Sequence, residues 1–129
     1  MTTTDTRREL GALGEQLARR HFEQLGYELI EANFRTRFGE LDIVARGEGC
    51  LVFCEVKTRV GSGLNGPANP LDAIGLAKRR RLRMMAGQWL MAKSGEVGGY
   101  TPDLRFDAIG INLSSRGDLL ALEHIEDAF

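Results

Sequence analysis

Two strand-forming segments around a short turn constrain the fold of this chain more than any other feature. Residues 40–45 alternate between polar and apolar side chains, and residues 50–58 are strongly strand-forming. Gly47-Glu48-Gly49 between them is a turn signal. If this turn closes a hairpin, the residue numbers of each opposed pair sum to 97. The sequence therefore predicts a β-hairpin with a defined register.

The predicted hairpin brings charged side chains onto one face. Its register sets Asp42 opposite Glu55 and Glu40 opposite Lys57, with opposed Cβ atoms about 5 Å apart. Two carboxylates at that distance repel each other unless a cation lies between them. Mg²⁺ binds one or two carboxylates together with waters and phosphate oxygens, and Lys57 would then orient a water or stabilise developing charge. The alternative is a cross-strand Glu40–Lys57 ion pair, with Asp42 and Glu55 as edge carboxylates.

The rest of the pattern predicts one α/β domain, residues 1–129, with a mixed sheet. Apolar periodicity and turn residues predict two helices and three further strands, over 6–25, 71–93, 27–32, 104–113 and 119–125. Together with the hairpin they give the order α-β-β-β-α-β-β. The Gly- and Pro-rich segment 60–70 is predicted to be a loop, and residues 1–8 are expected to be flexible.

The formal net charge of −1 hides segments of opposite sign. Residues 1–56 carry 7 basic and 10 acidic groups, residues 57–93 carry 8 and 1, and residues 94–129 carry 2 and 7. Such asymmetry indicates contact with a polyanion, although a solvated helix face is the alternative. The near-neutral total therefore does not exclude a nucleic-acid partner.

The composition is typical of a cytoplasmic protein without a membrane partner. A hydrophobic fraction of 43% argues against a disordered chain. No segment approaches the ~20 apolar residues of a membrane helix, and the N-terminus has no apolar signal core. Cys50 and Cys54 on one strand would have Cα atoms roughly 13 Å apart, too far for a disulfide. Both are expected to be reduced thiols.

The second predicted helix combines an apolar stripe with basic residues. Lys78 falls within the stripe, whereas the arginines from Arg79 to Arg83 cover the other faces. The apolar members of the stripe are Leu71, Ile74, Leu82, Met85 and Trp89. Lys78 either extends its ammonium group to the rim of the core or reaches toward a phosphate or the hairpin carboxylates. On the first helix, His21 is expected to be a packed core residue, and His124 has no evident partner.

An ordered set of motifs carries a family resemblance. Asp42-x12-Glu55-x-Lys57 on two hairpin strands looks like the PD-(D/E)xK nuclease motif. The wider set comprises Gly14-Glu15, Gly26-Tyr27, Asn33-Phe34-Arg35, Gly39-Glu40-Leu41-Asp42, Val52 to Arg59, Lys78 and Arg105-Phe106-Asp107. From about Gly11 to the end, it resembles the YraN-like uncharacterised bacterial family. Since that family is similar to Holliday-junction resolvases, the resemblance implies a restriction endonuclease-like α-β-β-β-α-β core.

The resemblance also implies roles for individual residues. Asp42 and Glu55 would hold Mg²⁺ or Mn²⁺, and Lys57 would be the catalytic lysine. Glu15 matches a glutamate that assists the metal site in resolvase-like proteins, and Glu40 is assigned a supporting role. The proline of the motif's first half is absent, because Leu41 precedes Asp42.

Two functions from different classes follow as expectations. The first is a Mg²⁺-dependent endonuclease-like protein acting on branched or structured DNA, and the second is a non-catalytic nucleic-acid- or partner-binding module on the same fold. A purely structural domain is the third alternative. The residues expected to bind nucleic acid are Arg35, Arg59, Lys78, Arg79, Arg80, Arg83 and Arg105. A homodimer is one expectation, since resolvase-like enzymes cut two strands symmetrically.

Overall fold

The computed structural model describes residues 3–61, 75–93 and 103–128, with side chains from residue 8 onward. Two helices and five strands form in the predicted order: α1 (Thr3–Gln24), β1 (Glu28–Thr36), β2 (Gly39–Gly47), β3 (Cys50–Val60), α2 (Leu76–Ala92), β4 (Asp103–Leu113) and β5 (Leu119–Ile125). The segment expected to be flexible, 1–8, contains the start of α1, and its residues 1–2 lie outside the described residues. Most of the predicted loop 60–70 and the first residues of the predicted second helix, 71–74, also lie outside them.

The five strands form one mixed sheet in the order β1-β2-β3-β4-β5. β1, β2 and β3 are a continuous antiparallel meander, β3 pairs with β4 in parallel, and β5 returns antiparallel to β4. Parallel strands cannot be joined by a tight turn, and the β3–β4 connection accordingly contains α2. This confirms the predicted α/β class and the mixed sheet.

The β2–β3 hairpin has the predicted register. The paired residues run from Gly47↔Cys50 to Ile43↔Cys54, and each pair sums to 97. Beyond Ile43 this ladder ends, so neither Asp42 with Glu55 nor Glu40 with Lys57 is a paired position, and on its other edge Glu40 pairs with Arg35 of β1. The predicted juxtaposition of Glu40 with Lys57 is therefore wrong, because the two strands no longer pair at that end of the hairpin.

The two helices cover opposite faces of the sheet. Val52, Cys54 and Val56 of β3 belong to the core with Ala18 and Phe22 of α1. Side chains of the other parity pack against α2: the cluster contains Leu51, Phe53, Leu82, Met85 and Trp89. The apolar stripe predicted for the second helix thus faces the sheet wherever the structure describes it. Within the described residues, neither helix is long and apolar enough to cross a membrane.

Close packing of α1 on β3 depends on the absence of a side chain at Gly14. A Cβ there would lie 2.0 Å from Thr58 Oγ1 and 2.9 Å from Thr58 Cβ. Rotation of the threonine side chain cannot move its own Cβ, so a substitution must push the helix off the strand. Because Glu15 is the next residue on α1, the same contact fixes the position of Glu15 relative to the sheet.

We expect Gly14→Ala to destabilise the protein by roughly 1–3 kcal/mol through overpacking. Gly11→Ala is the matched control on the same helix, because its Cβ would meet nothing within 4 Å. That change should stabilise the helix by roughly 0.5–1 kcal/mol. The free energy of unfolding in urea measures both effects. Equal stability of the two variants would contradict this seating of α1.

Candidate metal centre

Two buried carboxylates lie where β2 and β3 stop pairing. Asp42 immediately precedes Ile43 and Glu55 immediately follows Cys54, the last residues that pair, and the two residues are 9% and 6% exposed. The Val56 amide donates a hydrogen bond of 2.8 Å to Asp42 Oδ2, which fixes the Asp42 carboxylate at the end of the ladder. Both carboxylates line one cleft on the α2 side of the sheet. The structure thus brings together the two residues that the sequence predicts as metal ligands.

Glu15 and Glu40 bring two more carboxylates to Asp42. One oxygen from each of Glu15, Glu40 and Asp42 lies within 4.8 Å of the others. Glu15 comes from α1, whereas Glu40 and Asp42 both come from β2, so two separate elements converge here. Carboxylate oxygens are the ligands that Mg²⁺ and Mn²⁺ prefer. This group of Glu15, Glu40 and Asp42 therefore suits a hard divalent cation, and Glu55 lies in the adjoining cleft in contact with Lys78.

Asn33 is a site residue to which the sequence analysis assigned no role. With its amide oriented to suit its neighbours, its NH₂ group donates to Glu40 Oε1 at 2.7 Å and to Glu15 Oε2 at 2.9 Å. Its φ of +54° is left-handed, a conformation that Asn tolerates better than most residues. Asn is uncommon in strands, and Asn33 lies one residue beyond the predicted strand 27–32, so nothing in the sequence indicated that β1 carries it into the site.

The carboxylates of this centre repel each other, and the repulsion opposes their ionisation. Burial, followed by the charge of Glu55, raises the pKa of Asp42 to about 8, although the Val56 N–H acts in the opposite direction. Burial, followed by the charge of Glu40, also raises the pKa of Glu15. Carboxyl groups that resist ionisation together become easier to ionise when a cation lies among them. The electrostatics therefore favour cation binding at this point.

Lys78 of α2 contacts the carboxylate group directly. Its Nζ lies 2.6 Å from Glu55 Oε1. Of the alternatives raised by the sequence, the structure shows the one in which Lys78 reaches a hairpin carboxylate. The cleft, of about 260 Å³, lies between the β1–β2 turn at Phe38-Gly39 and α2. Lys57 is half-buried and, in the described parts of the chain, makes no ion pair.

The remaining predicted phosphate-binding arginines, apart from Arg105, lie on α2, β1 and β3. Arg80 is exposed on α2, and Arg83 lies over the Phe106 ring at 4.7 Å. Arg35 is exposed beside Glu40, with 3.6 Å between Nε and Oε2, and Arg59 is exposed near the end of β3. Arg79 is half-buried. Arg81, absent from the predicted set, lines the cleft itself.

Comparison with known proteins assigns the chain to a family. The model of the uncharacterised protein family UPF0102 matches residues 14–111. The chain belongs to this family. It is 41% identical to a UPF0102 protein of Rhodococcus opacus over 93% of this chain and 95% of that one. The corresponding values are 40%, 98% and 98% for Acidothermus cellulolyticus, and 44%, 85% and 86% for Mycobacterium marinum.

UPF0102 is the YraN family, so the predicted family resemblance is confirmed. The matched range begins one residue before Glu15 and extends beyond Lys78, and it therefore contains every carboxylate and lysine of the cleft. The region common to the UPF0102 family model and this chain includes the complete candidate centre.

Arg105 of this UPF0102 chain does not lie with the surface arginines. It is 8% exposed, and its guanidinium donates to both carboxylate oxygens of Asp107 at 2.8–2.9 Å. A further bond of 2.8 Å reaches the Tyr27 hydroxyl. This placement argues against the prediction that Arg105 contacts nucleic acid. The Arg105 guanidinium is buried and already paired with the Asp107 carboxylate.

The two histidines of this UPF0102 chain form a network with the same carboxylate. His124 Nε2 lies 2.8 Å from Asp107 Oδ2, and His21 Nε2 lies 3.0 Å from His124 Nδ1. Asp107 accepts from His124 Nε2, so the other nitrogen of the His124 ring shares the hydrogen bond with His21. His124 therefore has two partners that the sequence did not reveal. His21, Asp107 and His124 thus link α1, β4 and β5.

Proposed function

We propose that the chain is a metal-dependent, endonuclease-like protein that binds branched or structured DNA and hydrolyses a phosphodiester bond. The observation that carries this proposal is the group of Glu15, Glu40 and Asp42 where the β2–β3 ladder ends, next to a cleft in which Glu55 contacts Lys78. The similarity of YraN-like proteins to Holliday-junction resolvases and other PD-(D/E)xK nucleases supports the same reaction class. The two free cysteines agree with a cytoplasmic location.

The donor set fits Mg²⁺ or Mn²⁺. Asp42 and Glu55 would be the principal ligands, with Glu15 and Glu40 close enough to complete an all-oxygen site. A bound Mg²⁺ would supply Lewis acidity, which acidifies a water and polarises a phosphate. The raised pKa values of Asp42 and Glu15 support a site that needs a cation for full ionisation.

The cationic side chains would bind and orient the substrate. Lys57, half-buried on the strand that carries Glu55, would orient the attacking water or stabilise charge developing on the phosphate. Exposed arginines on α2 and β1, including Arg80 and Arg35, would bind the DNA backbone, since guanidinium groups pair with phosphates in two-point contacts. A homodimer would allow cleavage of two strands, and it forms part of the proposal.

A non-catalytic nucleic-acid-binding module is the second candidate. The Lys78–Glu55 ion pair favours it, because this carboxylate already has a counter-ion from the protein. A module of this kind would bind nucleic acid through the basic residues of α2 and would not use the carboxylates in catalysis. The two candidates differ in a single measurable respect, which is cleavage in the presence of metal.

Cleavage of a labelled four-way junction by the full chain tests the proposal. We expect strand breaks with Mg²⁺ or Mn²⁺, none with EDTA, and weaker activity on a linear duplex of the same sequence. Binding should weaken linearly in log affinity against log salt concentration. Salt-dependent binding without cleavage in either metal would support the second candidate instead. Absence of both binding and cleavage would overturn both.

A further inference from the structure

The contact between Lys78 and Glu55 joins two groups with different access to solvent. The Glu55 side chain is 7% exposed, whereas that of Lys78 is 34% exposed. A buried carboxylate without a cation is strongly destabilising, so Lys78 stabilises Glu55 whenever no other cation is near. The lysine itself retains a route to solvent, and its flexible four-carbon stem allows its ammonium group to move.

The position of Lys78 on its helix is unfavourable for helix stability. α2 begins at Leu76, and Gly75 supplies no side-chain cap. Lys78 therefore lies in the first turn, where the helix dipole favours acidic residues over cations. Helix formation does not account for a lysine here, whereas the contact with Glu55 does.

We propose that Lys78 is a positioning residue that exchanges partners: it neutralises Glu55 in the metal-free protein, and it pairs with a substrate phosphate once a divalent cation binds Glu55. The inference rests on the proposed function, because it takes Glu55 as a metal ligand. Lys78 Nζ lies 2.6 Å from Glu55 Oε1, so a divalent cation bound to the same carboxylate would lie a few ångströms from the ammonium group. The two positive charges repel each other at that distance, and metal binding therefore favours release of Lys78.

Because of this exchange, Lys78 weakens the binding of the metal ion and strengthens the binding of DNA in the presence of metal. Removing the lysine removes a competitor for Glu55, so metal binding should become tighter by linkage. It also removes a phosphate partner, so DNA binding in the presence of metal should become weaker. A lysine that only holds Glu55 in place would change both affinities in the same direction. The sign of the two changes consequently separates an exchanging lysine from a structural one.

Calorimetric titration of Mn²⁺ into the full chain without DNA tests the first effect. We expect Lys78→Met to lower the Kd for Mn²⁺ by about tenfold, corresponding to ~1.4 kcal/mol, and Lys78→Arg to keep the wild-type Kd. Arg81→Met is the matched control, since Arg81 lines the same cleft but, among the described ion pairs, has none with Glu55. It should change the Kd less than about threefold, as expected for a more exposed charge.

Junction binding with and without metal tests the second effect. Lys78→Met should weaken binding at saturating Mn²⁺ more than about fivefold, and should weaken it less in EDTA, where wild-type Lys78 is engaged with Glu55. If Lys78→Met unfolds at the working temperature, Lys78→Gln and the Mn²⁺-induced rise in Tm give the same comparison. A wild-type protein that binds Mn²⁺ while Lys78→Met binds it equally or more weakly overturns this inference alone. A wild-type protein that binds no Mn²⁺ overturns the proposed metal centre as well.

Discussion

Replacing Asp42 with asparagine is expected to reduce metal-dependent cleavage of junction DNA by about 100-fold or more. Asp42 is the carboxylate that contacts the others: it lies with Glu15 and Glu40 in one cluster and interacts with Glu55. Asparagine retains an oxygen that can accept from the Val56 amide, so the backbone geometry is preserved. It lacks the charge that a divalent cation needs, and lost metal-ion stabilisation of several kcal/mol corresponds to this factor.

The same substitution should stabilise the metal-free protein at pH 8. Asp42 has a pKa of about 8 in the folded chain against 3.8 ordinarily, so between these values the folded protein retains a proton that the unfolded chain has lost. Stability of the wild type therefore falls as pH rises through this window. Asparagine does not titrate, so we expect Asp42→Asn to raise the free energy of unfolding in EDTA at pH 8 by more than about 1 kcal/mol.

Asp103→Asn is the matched control for both measurements. It makes the same chemical change at an exposed strand position, and it should alter neither cleavage nor stability measurably. Cleavage by Asp42→Asn at the wild-type rate would contradict the assignment of Asp42 as a metal ligand. A less stable Asp42→Asn protein in EDTA would contradict the repulsion among the carboxylates.

Replacing Asp107 with alanine is expected to destabilise the fold by about 3–5 kcal/mol. The carboxylate is fully buried and accepts hydrogen bonds from the Arg105 guanidinium, the His124 ring and the Asp127 amide. Its loss leaves the Arg105 charge nearly buried without its principal partner, which costs this amount in proteins. Chemical denaturation measures the change, with Asp118→Ala at an exposed position as the control.

A double replacement tests the origin of that loss. If an unpaired buried charge causes it, Arg105→Leu with Asp107→Leu should be more stable than Asp107→Ala alone, because replacing both partners by apolar groups is often nearly neutral. A double variant less stable than the single one would indicate that the hydrogen bonds themselves, rather than the uncompensated charge, hold the strands together.

Acid should destabilise the wild type through the same network. Burial, followed by the neighbouring His124, lowers the pKa of His21 below 6.5, so stability falls as pH drops below about 6.5, where the unfolded histidine binds a proton first. Burial alone would raise the pKa of Asp107, but hydrogen bonds from His124, Arg105 and the Asp127 amide leave it below 3.8. Its contribution is present above that value and is lost as pH falls through its folded pKa. Asp107→Ala should lack this second acid-dependent loss.

The sequence predicted the features that depend on local pattern. The turn at Gly47–Gly49 and the alternation of its strands set the register, and the register brought Asp42 and Glu55 together. The partner of Glu40 was not predictable in this way, because a register does not reveal where a ladder ends. Glu40 lies beyond the last pair of the β2–β3 ladder, and its paired residue is Arg35 on the other neighbouring strand, β1.

The features that the sequence left open depend on distant contacts. Arg105 carries the same charge as the surface arginines, and only Tyr27, 78 residues away, and the buried Asp107 identify it as internal. The sequence left two interpretations of Lys78 open, because it does not show that α2 places the lysine beside Glu55. Asn33 is recognisable as a site residue only once Glu15 and Glu40 lie on either side of its amide. In each case the side chain's role follows from a partner that local periodicity does not encode.

The crossover between β3 and β4 has a consequence for how the centre is completed as the chain is made. Glu15, Glu40, Asp42 and Glu55 all precede the crossover, whereas Lys78 lies within it. During synthesis, α1 and strands β1 to β3, which carry these carboxylates, therefore leave the ribosome first. The three antiparallel strands can pair through local contacts. The counter-ion of Glu55 follows only when α2 emerges. Until then, free cations in solution are the partners available to Glu55.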